Sequence, residues 1–262
     1  MNSGVWLYPV APVADLVAAI IAADRAGISE IWIADEGPAR DPFIVLAAAA
    51  VHTSQVKLGV GITSPLLRHP GALAASAATL DELSDGRAML GLGVGGVESL
   101  DPFHIEITRP VAVLRDAIRT AKAVFGRFES EHFTRPPHAS PPRPVPVFVG
   151  AKGEQLNRLA SREADGVFLS GFDLSALDQP VGWARSVRPI HVALYASVRF
   201  AANSPADPSA LSGTPHQIAT RLALLHRRHR PESLGLALID GTNPQLMMAQ
   251  AIETFRLFNK HA

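Results

Sequence analysis

Two kinds of hydrophobic pattern alternate along the chain. Short apolar runs with the length and composition of buried strands are followed by longer segments in which apolar residues recur every three or four positions. This alternation predicts a parallel sheet whose strands are connected by amphipathic helices. The predicted strands are residues 4–8, 31–33, 56–62, 87–92, 145–149, 166–169, a strand within 189–200, and 233–239.

A predicted helix follows each of these strands. Some helices are marked by their end residues: Asp41 and Pro42 have the form of an N-cap and a first helical residue, and Gly27 stands where a C-cap glycine belongs. Residues 93–107 are predicted to be a loop, and the proline-rich residues 128–144 an irregular surface crossing. The predicted helices are residues 15–26, 42–52, 70–83, 109–127, 154–162, 173–187, 214–228 and 244–258.

Eight βα units in 262 residues are typical of one closed barrel. The prediction is therefore an α/β fold, a (β/α)8 TIM barrel in a short form with reduced insertions. It forms a single domain over residues 1–262, because no stretch has the composition of a linker between domains. In such barrels the chemistry lies on the loops that follow the C-terminal ends of the strands.

Composition and charge exclude several classes of function. The chain has no cysteine, which excludes disulfides, thiolate metal sites and cysteine nucleophiles. Its 24 basic and 24 acidic residues balance, which argues against a nucleic-acid partner. The ten histidines are scattered without a metal-binding motif, so no metal site is expected. No apolar run is long enough to span a bilayer and the chain begins without a basic leader, so we expect no membrane partner and a cytoplasmic location.

Two clusters of charge have both a functional and a structural interpretation. Asp35 and Glu36 follow the second predicted strand, where they either take part in acid–base chemistry or face the dipole of the next helix. Arg68 and His69 either bind an anion or cap the helix that begins at Pro70. The basic run 226–230 ends a helix on the opposite side of the barrel, where cations stabilise a helix C-terminus.

Two glycine-rich turns are candidate binding sites. Residues 91–96 (GLGVGG) match the dinucleotide-binding fingerprint, but no helix follows them directly. We expect instead a barrel strand whose glycines let a flat or charged ligand approach the backbone. Residues 150–153 (GAKG) precede a helix, so they form either an ordinary turn or an anion site made of backbone N–H groups and Lys152.

Several segments resemble one enzyme superfamily. They resemble the luciferase-like monooxygenases, most of all the coenzyme F420-dependent branch that includes methylenetetrahydromethanopterin reductase. The third and fourth units carry the most specific likeness, and the second, fifth, sixth and seventh units resemble the family in the same order. The segments are 31–35 (IWIAD), 53–65 (TSQVKLGVGITSP), 68–70 (RHP), 77–84 (AATLDELS), 86–93 (GRAMLGLG), 145–150 (VPVFVG), 164–167 (ADGV) and 211–215 (LSGTP).

The resemblance implies a barrel that binds F420, or alternatively FMN, at its C-terminal face and forms a homodimer. It implies a non-proline cis peptide at Gly61–Ile62, behind the ring of the cofactor, and a phosphate site at residues 150–153. It makes Glu36 and Asp35 the candidate catalytic residues. The candidate cofactor-binding residues are Gly61, Ile62, Thr63, Gly95, Gly96, Gly150, Ala151, Lys152 and Gly153.

The chain departs from the family pattern at three positions. Asp35-Glu36 stands where F420-dependent members commonly have Asp-His, and Gly96 stands where they often have an acidic residue. Trp6 stands at the acidic position of the reductase on the first strand. These departures argue against the reductase activity itself. Residues 201–212, where family members often have a long insertion, are short and predict an open pocket.

The functional prediction is an F420-dependent oxidoreductase that transfers hydride to or from a small organic substrate. Glu36 is the expected proton donor, and Asp35 orients the cofactor ring or its neighbours. The first alternative is an FMN-dependent luciferase-like monooxygenase, whose dry pocket protects an oxygenated flavin. The second is a flavin-binding or structural barrel without catalysis. The residues do not identify the substrate.

Overall fold

Nine strands form one sheet in the computed structural model, which describes residues 1–127, 133–134, 136, 138, 143–200, 207–239 and 242–260. All pairings are parallel. In chain order the strands are β1 (Asn2–Leu7), β2 (Glu30–Ile33), β3 (Lys57–Thr63), β4 (Ala88–Leu92), β5 (Val147–Gly150), β6 (Gly166–Ser170), β7 (His191–Arg199), β8 (Ala210–Ser212) and β9 (Ser233–Leu238).

Eight of these strands close into a barrel. The ring runs from β1 through β7 in order and returns through β9, which pairs with both β7 and β1. The short strand β8 pairs with β7 alone, opposite Ser197–Arg199 and beyond the end of β6. The closed (β/α)8 barrel is therefore confirmed, and β8 is an addition that the hydrophobic pattern did not predict.

Helices cover the outside of the barrel. Five of the helices in the described part of the chain begin with proline. At four of these five, the side chain before the proline caps the helix. Asp41, for example, accepts a hydrogen bond from the backbone N–H of Phe43 at 2.8 Å. The helices are α1 (Val13–Arg25), α2 (Pro42–Ala50), α3 (Pro70–Leu83), α4 (Val97–Leu100), α5 (Pro110–Val124), α6 (Glu154–Glu163), α7 (Asp178–Ala184), α8 (Pro215–His229) and α9 (Pro244–Phe258).

Two predicted connections differ in the structure. Residues 93–107 are not only a loop: they contain α4 and a 3-10 turn at Asp101–Phe103. Gly95, at φ +90°, turns the chain into α4, and the hydroxyl of Ser99 bonds the backbone of Gly96. The helix predicted over residues 173–187 is only the seven residues of α7. Most of the proline-rich crossing and residues 201–206 of the predicted short connection lie outside the described residues.

Aromatic side chains fill the middle of the barrel. Trp32 contacts Phe148 and Phe168 with ring centroids 5.1 and 5.2 Å apart, and Phe168 stacks on Tyr195 at 4.7 Å. Glycines on neighbouring strands make room for these rings, since a Cβ on Gly59 would lie 2.4 Å from Trp32. This aromatic plug (Trp32, Phe148, Phe168 and Tyr195) fills the barrel beneath the C-terminal ends of the strands.

The N-terminal end of the barrel is held by polar contacts. The Tyr195 hydroxyl donates to the buried carboxylate of Glu30 at 2.7 Å. Arg87, directly before β4, donates to the carbonyls of Ala50, Thr53 and Val56 and to the Thr53 hydroxyl. Arg228 at the end of α8 pairs with Asp178. Across the residues described, no helix is long and apolar enough to cross a membrane.

Candidate active site

A cavity of about 470 Å³ opens at the C-terminal end of the barrel. Its lining comes from the residues that end or follow β1 to β6, which is where barrel enzymes place their chemistry. The predicted site residues that line it are Asp35, Glu36, Gly61, Ile62, Gly95, Gly96, Gly150, Ala151 and Lys152. The lining residues that sequence reasoning did not select are Trp6, Tyr8, Val94, Glu98, Ser99, Leu156, Phe168 and Ser170.

The base of the cavity is the end of β3. The peptide bond Gly61–Ile62 is cis, as the resemblance predicted, and the register between β3 and β4 shifts between Val60 and Thr63. The indole N–H of Trp6 donates a hydrogen bond to the carbonyl oxygen of Gly61. Trp6, at the position where the reductase has an acidic residue, therefore contacts the backbone of the pocket base.

The side chain of Ile62 lies in a space left by three glycines, here named the glycine socket (Gly91, Gly93 and Gly150). A Cβ on Gly93 would lie 1.9 Å from Cδ1 of Ile62, and one on Gly150 would lie 2.6 Å from the same atom. One on Gly91 would lie 2.6 Å from the carbonyl oxygen of Val60. The expectation that the glycines of residues 91–96 let a ligand approach the backbone is therefore wrong for Gly91 and Gly93. The space beside these two glycines is filled by residues of β3, namely Val60 and Ile62. Gly96 has open space around it.

One side of the cavity carries carboxyl groups. The hydroxyl of Thr63 donates to Oδ2 of Asp35 at 2.5 Å. Burial raises the pKa of Asp35, and the bond from Thr63 opposes that rise. Burial also raises the pKa of Glu36 to about 7, with further contributions from the charges of Glu98 and Asp35. Glu36 is thus a carboxyl that exchanges its proton near neutral pH, as a general acid requires.

Glu98 and Tyr8 complete this acidic side. Glu98 lies on α4, two residues beyond the position where Gly96 replaces the family's acidic residue. Burial, together with the charges of Glu36 and Glu98, raises the pKa of Tyr8 to about 12. Sequence reasoning missed Glu98 because residues 93–107 were predicted to be a loop. A helix start with an acidic residue in its first turn was the available signal.

The other side of the cavity carries Lys152, which follows β5, three strands around the barrel from the β2 end that carries Asp35 and Glu36. Its ammonium donates to the carbonyl of Gly171 at 2.6 Å and lies 5.3 Å from the ring centre of Phe172. Burial lowers its pKa, and no carboxylate within the described residues pairs with it. The next helix, α6, starts after Gly153 with no side-chain cap, so its first backbone N–H groups are available. An ammonium beside free backbone N–H groups at a helix start is the donor set that an anion requires.

Two predicted cofactor-binding residues do not line the cavity. Thr63 is buried and its hydroxyl is used by Asp35, whereas Gly153 is the N-cap residue of α6. Arg68 does not line it either: it pairs with Asp41 at 3.0 Å, and His69 caps α3 by accepting from the N–H of Gly71. The capping interpretation of residues 68–70 is therefore correct. No group of three metal-ligating side chains occurs in the described ranges.

The chain is similar to known enzymes in sequence. The luciferase-like monooxygenase family matches residues 1–203. The 5,10-methylenetetrahydromethanopterin reductase of Methanolobus tindarius is 30% identical over 179 residues, which are 65% of this chain and 54% of the relative. The F420-dependent glucose-6-phosphate dehydrogenase of Kineococcus radiotolerans is 32% identical over 178 residues, 59% of this chain and 52% of the relative. The chain thus spans about half the length of the curated relatives it matches.

Two solved structures have the same fold over nearly their whole length. The coenzyme F420-dependent tetrahydromethanopterin reductase of Methanopyrus kandleri matches with a TM-score of 0.79 at 20% identity, covering 99% of both chains. The monooxygenase RslO1 of Streptomyces bottropensis matches with a TM-score of 0.79 at 19% identity, covering 100% of this chain and 98% of the other. Fold and family model agree, and the chain belongs to the luciferase-like monooxygenase family.

Proposed function

We propose that the protein is an oxidoreductase that uses the deazaflavin F420 to transfer hydride to or from a small organic substrate. The observation that carries this proposal is the division of one cavity into two sides. Glu36, with a pKa of about 7, lies on one side, and Lys152, which has no carboxylate partner among the described residues, lies on the other beside the start of α6. The relatives whose names include F420 support the choice of cofactor.

The residues of the cavity fit such a cofactor. A volume of about 470 Å³ is in the usual range for a small-molecule site. Ile62, fixed in the glycine socket, offers an apolar surface to a flat ring, while Lys152 and the N–H groups of α6 suit a phosphate-bearing tail. When bound, F420 supplies the hydride donor or acceptor.

The chain's own residues supply proton control and positioning. Glu36 holds a proton at its carboxyl group near neutral pH and gives it to a substrate atom, or accepts it back in the reverse direction. Asp35 is held in place by Thr63 and keeps a second carboxyl beside Glu36. Trp6, Phe168 and Leu156 provide apolar lining that excludes water from the reacting groups.

Titration of the purified protein with F420 and with FMN tests the proposal. Fluorescence of each cofactor gives its dissociation constant, and a panel of small alcohols, ketones and enones is then screened without oxygen. We expect tighter binding of F420 than of FMN, and a change in F420 absorbance with at least one substrate. Binding of neither cofactor would contradict the proposal and favour a non-catalytic barrel.

The second candidate is an FMN-dependent monooxygenase. The family name and the fold likeness to the Streptomyces monooxygenase support it, and that fold likeness is as strong as the likeness to the F420-dependent reductase, since both have a TM-score of 0.79. Preferential FMN binding, with oxygen consumed in step with product, would support this candidate against the F420 proposal.

The proposal includes a cytoplasmic homodimer as the working form. Two exposed apolar side chains, Ile44 on α2 at 67% exposure and Val51 at its C-cap at 60%, support an interface along that helix. Light scattering of the wild type and of Ile44→Asp tests it, with the wild type expected at twice the mass of the chain and the variant shifted towards monomer. A monomeric wild type would contradict the dimer.

A further inference from the structure

A second charged cavity lies outside the barrel, between α5 and α6. Its volume is about 450 Å³, and Val111 and the buried Leu159 form its apolar part. A smaller cavity of about 310 Å³ continues it, and both share Arg119 and Glu163. None of these residues lines the candidate active site.

Four arginines from the two helices line the larger cavity. Arg115 and Arg119 are four residues apart on α5, and Arg158 and Arg162 are four apart on α6. Residues at this spacing lie on the same face of a helix, so each helix presents a pair of like charges to the cavity. This arginine groove (Arg115, Arg119, Arg158 and Arg162) concentrates positive charge in a protein whose formal net charge is zero.

The neighbouring carboxylates leave many guanidinium donors unused. Glu163 is the one acidic residue among those that line the cavity, and it takes two bonds from Arg119 at 2.8 Å. Arg158 pairs with Glu154 and Arg115 pairs with Asp116, and neither carboxylate lines the cavity. Arg162 has no ion-pair partner within the part of the chain that the structure describes. Since each guanidinium has five N–H donors, the groove holds a surplus of donors directed by two helices.

Guanidinium groups in this arrangement match phosphate oxygens. Each planar guanidinium group can donate two parallel hydrogen bonds to two oxygens of one phosphate. Two pairs of arginines on facing helices therefore suit two or more linked phosphates better than a single anion. The cavity is the size of a small-molecule site, and its apolar part accommodates an uncharged portion of the ligand.

We infer that the arginine groove is a binding site for a small organic molecule that carries two or more linked phosphate groups. The site is separate from the proposed cofactor pocket, and the inference does not rest on the proposed function. Helix α6 is shared between the two, with Leu156 lining the pocket and Arg158 and Arg162 lining the groove.

Calorimetric titration with inorganic pyrophosphate, at constant ionic strength, tests this site. We expect the arginine groove to bind one pyrophosphate per chain, more tightly than it binds sulfate. The double variant Arg158→Gln/Arg162→Gln should weaken it by about tenfold or more, as for the loss of charge-assisted hydrogen bonds. Replacing both arginines by lysine should give an intermediate loss of affinity, because lysine keeps the positive charge but cannot donate two parallel hydrogen bonds to one phosphate.

Two control variants separate this site from general charge effects. Arg221→Gln removes an exposed arginine from α8 and should leave pyrophosphate binding unchanged. Lys152→Gln removes the cation of the active-site pocket, so it should leave binding at the groove unchanged while it weakens any pyrophosphate binding in that pocket. Circular dichroism and melting temperature establish that each variant is folded. Binding no tighter than sulfate, equal loss in Arg221→Gln, or loss in Lys152→Gln alone would overturn the inference.

Discussion

Thr63 and Asp35 are joined by a hydrogen bond of 2.5 Å between Oγ1 and Oδ2, from the end of β3 to the residues after β2. The bond uses the only side-chain donor of Thr63 and restrains a partly buried carboxylate. Thr63 therefore acts on the pocket through Asp35, although it does not line the cavity itself.

Thr63→Val should destabilise the fold and raise the pKa of Asp35 further. Removing the hydroxyl takes one of two hydrogen-bond donors from a partly buried carboxylate and leaves only the backbone of Gly37, at a cost of about 1–3 kcal/mol. Urea unfolding at pH 7 measures this loss, and Thr63→Ser, which keeps the hydroxyl, is the matched control. The interpretation fails if the valine and serine variants have the same stability.

Glu36→Gln should change how stability depends on pH. The folded pKa of Glu36 is raised from 4.5 to about 7, so the folded state favours the protonated form. The stability associated with that proton is fully present below about pH 4.5 and is lost as pH rises through 7. The wild type should therefore lose stability relative to Glu36→Gln between pH 5 and pH 8. Melting temperatures across this range measure the difference, and parallel curves would contradict the raised pKa.

The same variant should also reduce turnover without preventing cofactor binding. In the direction in which Glu36 donates its proton, wild-type activity should fall as pH rises through about 7, since the carboxyl then becomes ionised. Glu36→Gln should have a lower kcat without this limb of the pH profile. Unchanged turnover in the variant would remove Glu36 from the proposed chemistry.

Gly93→Ala should destabilise the protein, and Ile62→Val should partly correct it. The new methyl group would lie 1.9 Å from Cδ1 of Ile62, and overpacking of this kind costs about 1–3 kcal/mol. Valine at position 62 lacks Cδ1, so the double variant should be more stable than the two single effects predict. A double-mutant cycle by urea unfolding measures the coupling. Additive effects would mean that the glycine socket does not constrain Ile62.

Lys152→Gln should weaken binding of the anionic cofactor by about tenfold, as expected for one charge-assisted hydrogen bond. The effect should shrink as salt concentration rises, because salt screens the charge. Lys57→Gln, at the opposite end of β3, is the matched control. Fluorescence titration with F420 measures both. Equal affinities of the two variants would argue against an anion site beside α6.

The sequence predicts the barrel well because its signals are local. Strands such as β4 are uninterrupted apolar runs, and helix starts such as Asp41-Pro42 carry their own capping chemistry. The cis bond at Gly61–Ile62 was predicted from resemblance alone, since no pattern of polarity identifies it.

The contacts of the site are harder to predict because they join distant segments. The socket of Ile62 requires the register of three strands, and periodicity does not specify which side chain a glycine faces. Glu98 enters the pocket because four residues of an expected loop form α4. Thr63 lies at the end of β3, where the sequence predicts cofactor-binding residues. Its side chain, however, bonds to Asp35 and does not line the cavity.

The aromatic plug also bears on the kinetics of the proposed enzyme. With Trp32, Phe148, Phe168 and Tyr195 filling the barrel beneath it, the cavity has no passage through the described part of the barrel to the opposite end. A molecule that rests on the base at Gly61–Ile62 must arrive before its partner and leave after it. The geometry therefore implies a compulsory order of binding, in which the product that leaves last competes with the molecule that binds first.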